Sequence, residues 1–300
     1  MAGTTSSSVQ QLYADIVADL VPYYMDAVLL PNQQIIQNSL SVAGSSGSQV
    51  RFPLTNTYTD AASINEGESI KDGAQSNLVP TAANVTFQKR GVATDVSEES
   101  LEDGGLDLVR NAVITRLSGG LAQATDTAGL LSGTAGFTTH ADTGEGSSNA
   151  STHDFNIVMS PEAMAYAAKR EPVVKMWYNP DTDTHEMRGS VRNGFTVLRA
   201  GFGQKISTNK TIGSATANVV AIAKGVANLR SSNAPTGVDG TYVGIITPAF
   251  EFAINDQIAL AGGTTIGSLS DLGNNALRDA SLALVAGTRL FRSNNLPSAS

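Results

Sequence analysis

The chain has 300 residues and no cysteine: enough length for one large or two ordinary domains with a real hydrophobic core, and no means of making a disulfide framework, a thiol nucleophile or a thiolate zinc site. Charged residues make up only 15%, where soluble domains average about 25%. The net charge of -8 and the pI near 4.9 argue against a dedicated nucleic-acid reader, which needs a basic stripe to displace phosphate counterions.

A surface poor in charge and rich in Ser, Thr, Asn, Ala and Gly suits a protein whose flanks are covered by other copies, because charge is depleted at interface cores. Self-assembly is therefore the first expectation. There is no run of about 18 apolar residues. The opening MAGTTSSSVQQLYADIV lacks a basic region followed by an unbroken apolar stretch. Neither a membrane span nor Sec export is expected.

Val9, Leu12, Ile16 and Leu20 recur at helical spacing until Pro22, which predicts a short amphipathic arm. Asn32 to Gln49 turns to Ser, Asn and Gly, with SVAGSSGSQ as a flexible connector and hinge. From Gln49 the period becomes two. Val50, Phe52 and Leu54 alternate with Arg51, Pro53 and Thr55, and Pro53 confines this half-buried strand to an edge. Val85 and Phe87 alternate with Thr86 and Gln88 in a second strand, and NEGESIKDGA (Asn65 to Ala74) is the polar tip between them. The two strands form a long hairpin. An isolated hairpin is marginal in water, so it must lie on this chain's body or on a neighbouring copy.

An acidic stretch, Asp95, Glu98, Glu99, Glu102, Asp103 and Asp107, leads into a helix, where it complements the positive end of the helix dipole. The apolar stripe is Leu106, Val109, Val113, Leu117, Leu121, Ala124, Ala128 and Leu131, spanning about 39 Å. A bend is expected at Gly119 and Gly120, each costing about 1 kcal/mol against Ala.

Thr134 to Thr152 reads as a loop, Phe155 to Met159 as a short buried strand, and Ser160 with Pro161 as the cap of a helix from Glu162 to Arg170 ended by Pro172. Trp177 and Tyr178 precede a polar loop, Asn179 to Glu186, and Phe195 to Arg199 is a further strand. A helix from Ala215 to Leu229, a buried strand from Tyr242 to Ile246, a Pro248-led helix around Phe250 to Ala259 and strand-like pieces at Leu282 to Val285 and Arg289 to Phe291 complete the chain. Helices and strands mixed without a strict βαβ rhythm indicate an α+β fold.

The chemical constellations are thin. Asp181, Asp183, His185 and Glu186 offer four ligands within six residues, yet lack the glycine and distal bidentate Glu of a calcium loop, so a solvated loop is the preferred reading. The other histidines, His140 and His153, form no i, i+4 pair with it or each other. Gly201, Gly203 and Lys205 lack the G-K-[ST] ending of a phosphate loop, and no G-x-S-x-G elbow is present. Lys169, Arg170 and Lys175, or Lys89 and Arg90, read as ordinary surface charge before phosphate contacts. Trp177 and Tyr178 read as anchors to a core or interface. No catalytic, cofactor-binding or metal residues are assigned, and no cofactor is expected.

The order of arm, hairpin with an acidic tip (SQVRFPL to NVTFQKRG), acidic lead (DVSEESLEDGG) and long helix ending LAQATDTAGLL resembles the major capsid proteins of tailed bacteriophages. VDGTYVGIITPAFEFAIND with SLALVAGTRLFRSNNLP resembles that family's axial domain. FNIVMSPEAMAYAAKREP and FTVLRAGFGQKIST resemble its closing part, here placed before the axial-type segment. The resemblance implies a Hong Kong 97-like capsid fold. Its parts are an N-terminal arm (1–48), an extended loop (49–94), a peripheral domain with a spine helix (95–135), and an axial domain with the rest of the peripheral domain (136–300).

It also implies a non-enzymatic subunit that assembles through hexamers and pentamers into an icosahedral head around double-stranded DNA, contacted weakly and without sequence specificity. Portal, scaffold or decoration proteins are the other expected partners, no membrane is involved, and the site is the virion, assembled in the host cytoplasm. Inter-subunit contacts are expected from Phe52, Leu54, Ile64, Glu66, Glu68, Ile70, Lys71, Val85 and Phe87 of the loop, and from Leu12, Ile16 and Leu20 of the arm. The rivals are an encapsulin-like nanocompartment shell, a metal-assisted hydrolase using Asp181, Asp183 and His185, and a secreted β-rich adhesin, which the N-terminus disfavours.

Overall fold

The computed structural model describes residues 35–44, 46–54, 81–100, 106–139, 153–209, 219–262 and 284–296, together with Leu20 and Glu66. The described elements are, in chain order, β1 (Asn38–Ser41), β2 (Gln49–Leu54), β3 (Thr81–Thr86), β4 (Gln88–Ser97), α1 (Leu106–Gly136), β5 (Thr138–Thr139), β6 (His153–Met159), β7 (Met164–Asn179), β8 (Thr184–Val197), a 3-10 turn at Ala200–Phe202, β9 (Gly203–Asn209), α2 (Val219–Ser231), β10 (Tyr242–Ile246), α3 (Pro248–Gly262), β11 (Leu284–Val285) and β12 (Thr288–Arg292). They build a mixed α and β architecture. A four-stranded sheet has the order β1-β7-β8-β4, a six-stranded sheet has the order β11-β12-β10-β6-β9-β5, and β2 and β3 form a separate two-stranded ribbon.

The six-stranded sheet grows around β10, YVGII, whose five residues are all buried. This is the continuous apolar run of a central strand. β6 lies antiparallel on one side of it and β12 parallel on the other, and α2 packs over β6 and β9. Asn156, fully buried on β6, joins sheet to helix. Its amide nitrogen donates to Thr208 Oγ1 at 2.7 Å, and its Oδ1 accepts from the Thr247 backbone N–H at 2.7 Å. Thr247 in turn caps α3, accepting from Phe250 N at 3.4 Å, and Pro248 opens the helix at the position where a missing N–H costs nothing. Ala286 and Gly287 both have positive φ, the two-residue turn that matches the twist of the β11–β12 hairpin. The strands and helices expected after Ala215 thus form where the sequence places them. Segments read as axial-type and closing-type share one sheet.

The expected helix at Glu162–Arg170 is instead the start of the 16-residue strand β7. Its cap signal is real but local: Ser160 Oγ accepts from Glu162 N, and Ala163 N donates to Ser160 O. No helix propagates, because Met164 to Ala168 pairs with Asn193 to Val197 of β8, and Ala165 and Ala167 alternate inward with no exposure. Tertiary pairing overrides the helical preference of alanine. Pro172, read as a helix stop, lies inside β7 where the register shifts between Arg170 and Val173, and an irregularity of this kind tolerates a missing N–H.

Two further strands stand where other structure was expected. β1 occupies part of the connector, paired in parallel with β7. β4 runs from Gln88 to Ser97 against β8, so Asp95 is a strand residue and not part of a helix lead.

α1 is one continuous helix through Gly119 and Gly120. Its buried positions are Val113 and Ile114, Leu117 and Ser118, Leu121 and Ala122, Thr125 and Asp126, Leu130, and Thr134. They recur every four residues. At 3.6 residues per turn, a four-residue repeat rotates the buried face by about 40° per step. Val113 to Leu117 pack on Val174 and Met187 of the four-stranded sheet, and Leu130 joins the cluster that holds Ile157 of the six-stranded sheet and Met164 at the start of β7. The expected fixed stripe fails in the second half for this reason: Ala124 and Ala128 are only half-buried and Leu131 is 57% exposed.

Close approach of α1 to β4 depends on Gly120, where an added Cβ would stand 2.8 Å from Val92 Cγ2, whereas at Gly119 it would meet nothing within 4 Å. Gly119→Ala is expected to stabilise the fold by about 1 kcal/mol and Gly120→Ala to destabilise it by about 1–3 kcal/mol. Denaturant unfolding of the two variants reads both signs, and equal effects would refute the close approach.

Candidate assembly surface

The ribbon pairs Gln49 with Thr86 through to Leu54 with Thr81, the antiparallel hairpin that the alternating pattern predicts, with Pro53 on a strand that has one partner among the described residues. Its root is fixed in the body. Val85 is fully buried and Phe87 is 7% exposed, both packed against Ala165 and Ala167. Lys169 Nζ donates to Gly47 O and stands 5.5 Å from the Phe87 ring centre. Gly194 of β8 admits the ribbon, since a Cβ there would fall 2.3 Å from the Thr86 carbonyl oxygen.

Beneath the root a polar chain crosses the layers. Arg90 donates to the Asn193 side-chain and backbone oxygens, and Asn193 Nδ2 donates to Thr125 Oγ1 on α1 at 3.3 Å.

Val85 and Phe87 are therefore packed within their own chain. Leu20 is likewise buried in its own chain, 1% exposed and packed with Val113, Ile114, Leu117, Val174 and Met187. Half-burial leaves part of Phe52 and Leu54 at the surface, although Phe52 also packs against the Val85 and Phe87 cluster, and Glu66 is exposed. Leu12, Ile16, Ile64, Glu68, Ile70 and Lys71 lie outside the described residues.

At the far end of the four-stranded sheet, Pro180 to Asp183 turn between β7 and β8, as the polar loop predicts, while His185 and Glu186 belong to β8. The four candidate ligands are otherwise engaged or apart. Tyr178 donates to Asp183 Oδ1, a bond that raises the phenol above its ordinary pKa. Glu186 accepts from Asn179 at 2.9 Å and pairs with Arg188 at 2.9 Å. His185 is buried with Nδ1 unpartnered and its ring 5.3 Å from that of Tyr178. Among the described residues no three His, Asp or Glu side chains gather as a cation site. Gly203 and Lys205 lie in β9 and not in a phosphate loop, and burial lowers the pKa of Lys205. Among the described residues no helix is long and apolar enough to cross a membrane.

The face that sequence reasoning missed is on the four-stranded sheet. Lys89, Arg170, Lys175 and Arg188 line one groove there with Trp177. Lys175 and Trp177 share strand parity, but Arg170 joins them only through the register shift between Arg170 and Val173. Reading Glu162–Arg170 as helix concealed it.

No family model matches the sequence, and no curated protein matches it. Among solved structures, the capsid of bacteriophage JBD30 is similar at a TM-score of 0.52 and 9% identity, over 90% of this chain and 92% of that one. The JBD30 procapsid is similar at a TM-score of 0.54 and 11% identity, over 97% of this chain and 100% of that one. At these identities the likeness establishes the fold alone, a mixed α and β fold shared with the JBD30 capsid.

The geometry separates fold residues from surface residues of the same ribbon. Phe87→Ala is expected to lower unfolding stability by about 3–5 kcal/mol, while Phe52→Ala should cost the isolated chain less and reduce its association. Paired unfolding and sedimentation measurements distinguish the two, and similar losses of stability in both variants would place Phe52 in the core.

Proposed function

We propose that the chain is a major capsid protein, the structural subunit that self-assembles into the icosahedral head enclosing the double-stranded DNA of a tailed bacteriophage. The observation that carries this reading is the shared fold over nearly the whole of both chains in the JBD30 procapsid comparison. The low charge content and the two-stranded ribbon with a partnerless edge agree with it.

In this reading α1 is the spine helix, and with the four-stranded sheet it forms the peripheral domain. The six-stranded sheet with α2 and α3 forms the axial domain. The extended loop is the ribbon with the 26 residues between Leu54 and Thr81. It ends near Phe87, because β4 is already part of the sheet. The loop reaches over an adjacent subunit, where Phe52, Leu54, Ile64, Glu66, Glu68, Ile70 and Lys71 supply contacts, and Leu12 and Ile16 of the arm add others. The partners are further copies of the chain in hexamers and pentamers, with portal, scaffold or decoration proteins, and packaged DNA contacted without sequence specificity. The role is structural and not enzymatic, and its place is the virion, assembled in the host cytoplasm.

Sedimentation and negative-stain microscopy of the purified chain should show pentamers, hexamers or shells. A monomer alone at every concentration and ionic strength would overturn the reading. Nucleic acid inside isolated particles separates a viral head from a nanocompartment filled with protein. Deleting Ile64 to Gly73 should abolish shells while leaving helix content intact by circular dichroism; normal shells would show that the loop does not bridge subunits.

A further inference from the structure

Glu251 lies in the first turn of α3 and is only 8% exposed, and among the described residues no hydrogen bond reaches its carboxylate. Its one charged partner is Arg292 of β12, whose Nε stands 3.6 Å from Oε1, beyond hydrogen-bond reach. Asn255 follows four residues later, which places it on the same side of the helix, and its Oδ1 is buried without a donor. The ionised form of Glu251 therefore leaves two kinds of acceptor one turn apart with no hydrogen to share. A carboxylate held out of water without hydrogen bonds is costly, and so is a buried carbonyl oxygen left unpaired. A proton relieves both, because a protonated carboxyl is a donor.

We propose that Glu251 is a proton switch between two partners: ionised it pairs with Arg292 of β12, and protonated it turns to donate its carboxyl proton to Asn255 Oδ1 within α3. The inference stands on these residues and not on the capsid reading. Burial pushes the Glu251 carboxyl above its ordinary pKa, and the Arg292 guanidinium opposes that shift without cancelling it. No other charged group among the described residues acts on it. β9 also lies against α3, but its one cation, Lys205, is perturbed by burial alone, and Thr247 at the end of β10 is uncharged. The proton comes from solvent. Releasing Arg292 costs little, since its side chain is 62% exposed and water takes up its charge. β12 keeps its backbone tie to β10, where Ser293 N donates to Ile246 O, so the switch exchanges a side-chain fastening between helix and strand for one inside the helix.

The sign follows from linkage. A carboxyl whose pKa is raised by folding favours the fold most below its ordinary range, and that advantage is lost as pH rises through the folded value. Denaturant midpoints of the full chain, at one fixed concentration so that association does not shift them, read the switch between about pH 4 and about pH 8. Glu251→Gln, which keeps a donor and carries no charge, should have a higher midpoint than the unmodified chain at the alkaline end, with the gap closing at the acidic end. Arg292→Gln should lower the midpoint at the alkaline end alone. Asn255→Leu should lower it at the acidic end alone. A Glu251→Gln midpoint at or below that of the unmodified chain at the alkaline end overturns the inference and makes the Arg292 contact an ordinary stabilising ion pair. Arg292 and Asn255 variants that respond alike at both ends also overturn it, and their opposite responses decide in its favour if Glu251→Gln does not fold.

Discussion

One helix has to satisfy two sheets. α1 lies on the four-stranded sheet near Val113 and on the six-stranded sheet near Leu130, and a straight helix with a fixed apolar stripe cannot face both if the sheets present different directions. Spacing the buried residues at four instead of 3.6 turns the face by about 40° per step, so that about 160° separates the aspect at Ile114 from that at Leu130. The rotation spreads apolar residues around the helix and places Thr125 and Asp126 among its buried positions. The two cores are thereby joined through one rigid element rather than through a linker, and displacement of one sheet must be transmitted along α1 to the other.

The ribbon root depends on that junction. Arg90, Asn193 and Thr125 link β4, β8 and α1 in the layer beneath Val85 and Phe87, and buried polar groups of this kind are costly unless every partner is present. The root is consequently held from three directions, while among the described residues β2 and β3 form strand pairs only with each other, with Val50 and Phe52 packed on the root cluster. A rigid base with an under-partnered extension suits a part that completes its packing on another molecule, since a two-stranded hairpin alone is marginal in water.

What the sequence reveals follows the range of the interactions involved. β2, β6, β10, α2, α3 and the β11–β12 hairpin are legible because their signals are local: alternation at Val50 to Leu54, a continuous apolar run at Tyr242 to Ile246, Pro248 at a helix start, Ala286-Gly287 at a turn. β1, β4 and β7 are not, because what makes them strands is a partner distant in sequence. Gln88 to Ser97 pairs with Thr184 to Asn193, and alanines that favour helix are held extended by β8. The candidate surface divides in the same way. Sequence alternation finds the ribbon, but it cannot tell that Val85, Phe87 and Leu20 are covered by their own chain. Nor can it bring Lys89 beside Arg170, since that juxtaposition exists only once β8 lies between β4 and β7.

Low overall charge and a concentrated basic face are two parts of one electrostatic arrangement. Copies that each carry -8 repel at long range, which keeps free subunits apart. Ions screen charge beyond about 8 Å at physiological salt, so this repulsion fades there while contacts between ionic groups within a few ångströms persist. An acidic chain that gathers Lys89, Arg170, Lys175 and Arg188 on one face keeps a local patch that attracts anionic groups within that range. Each exposed pair is worth about 0–1 kcal/mol, too little alone to hold two chains together.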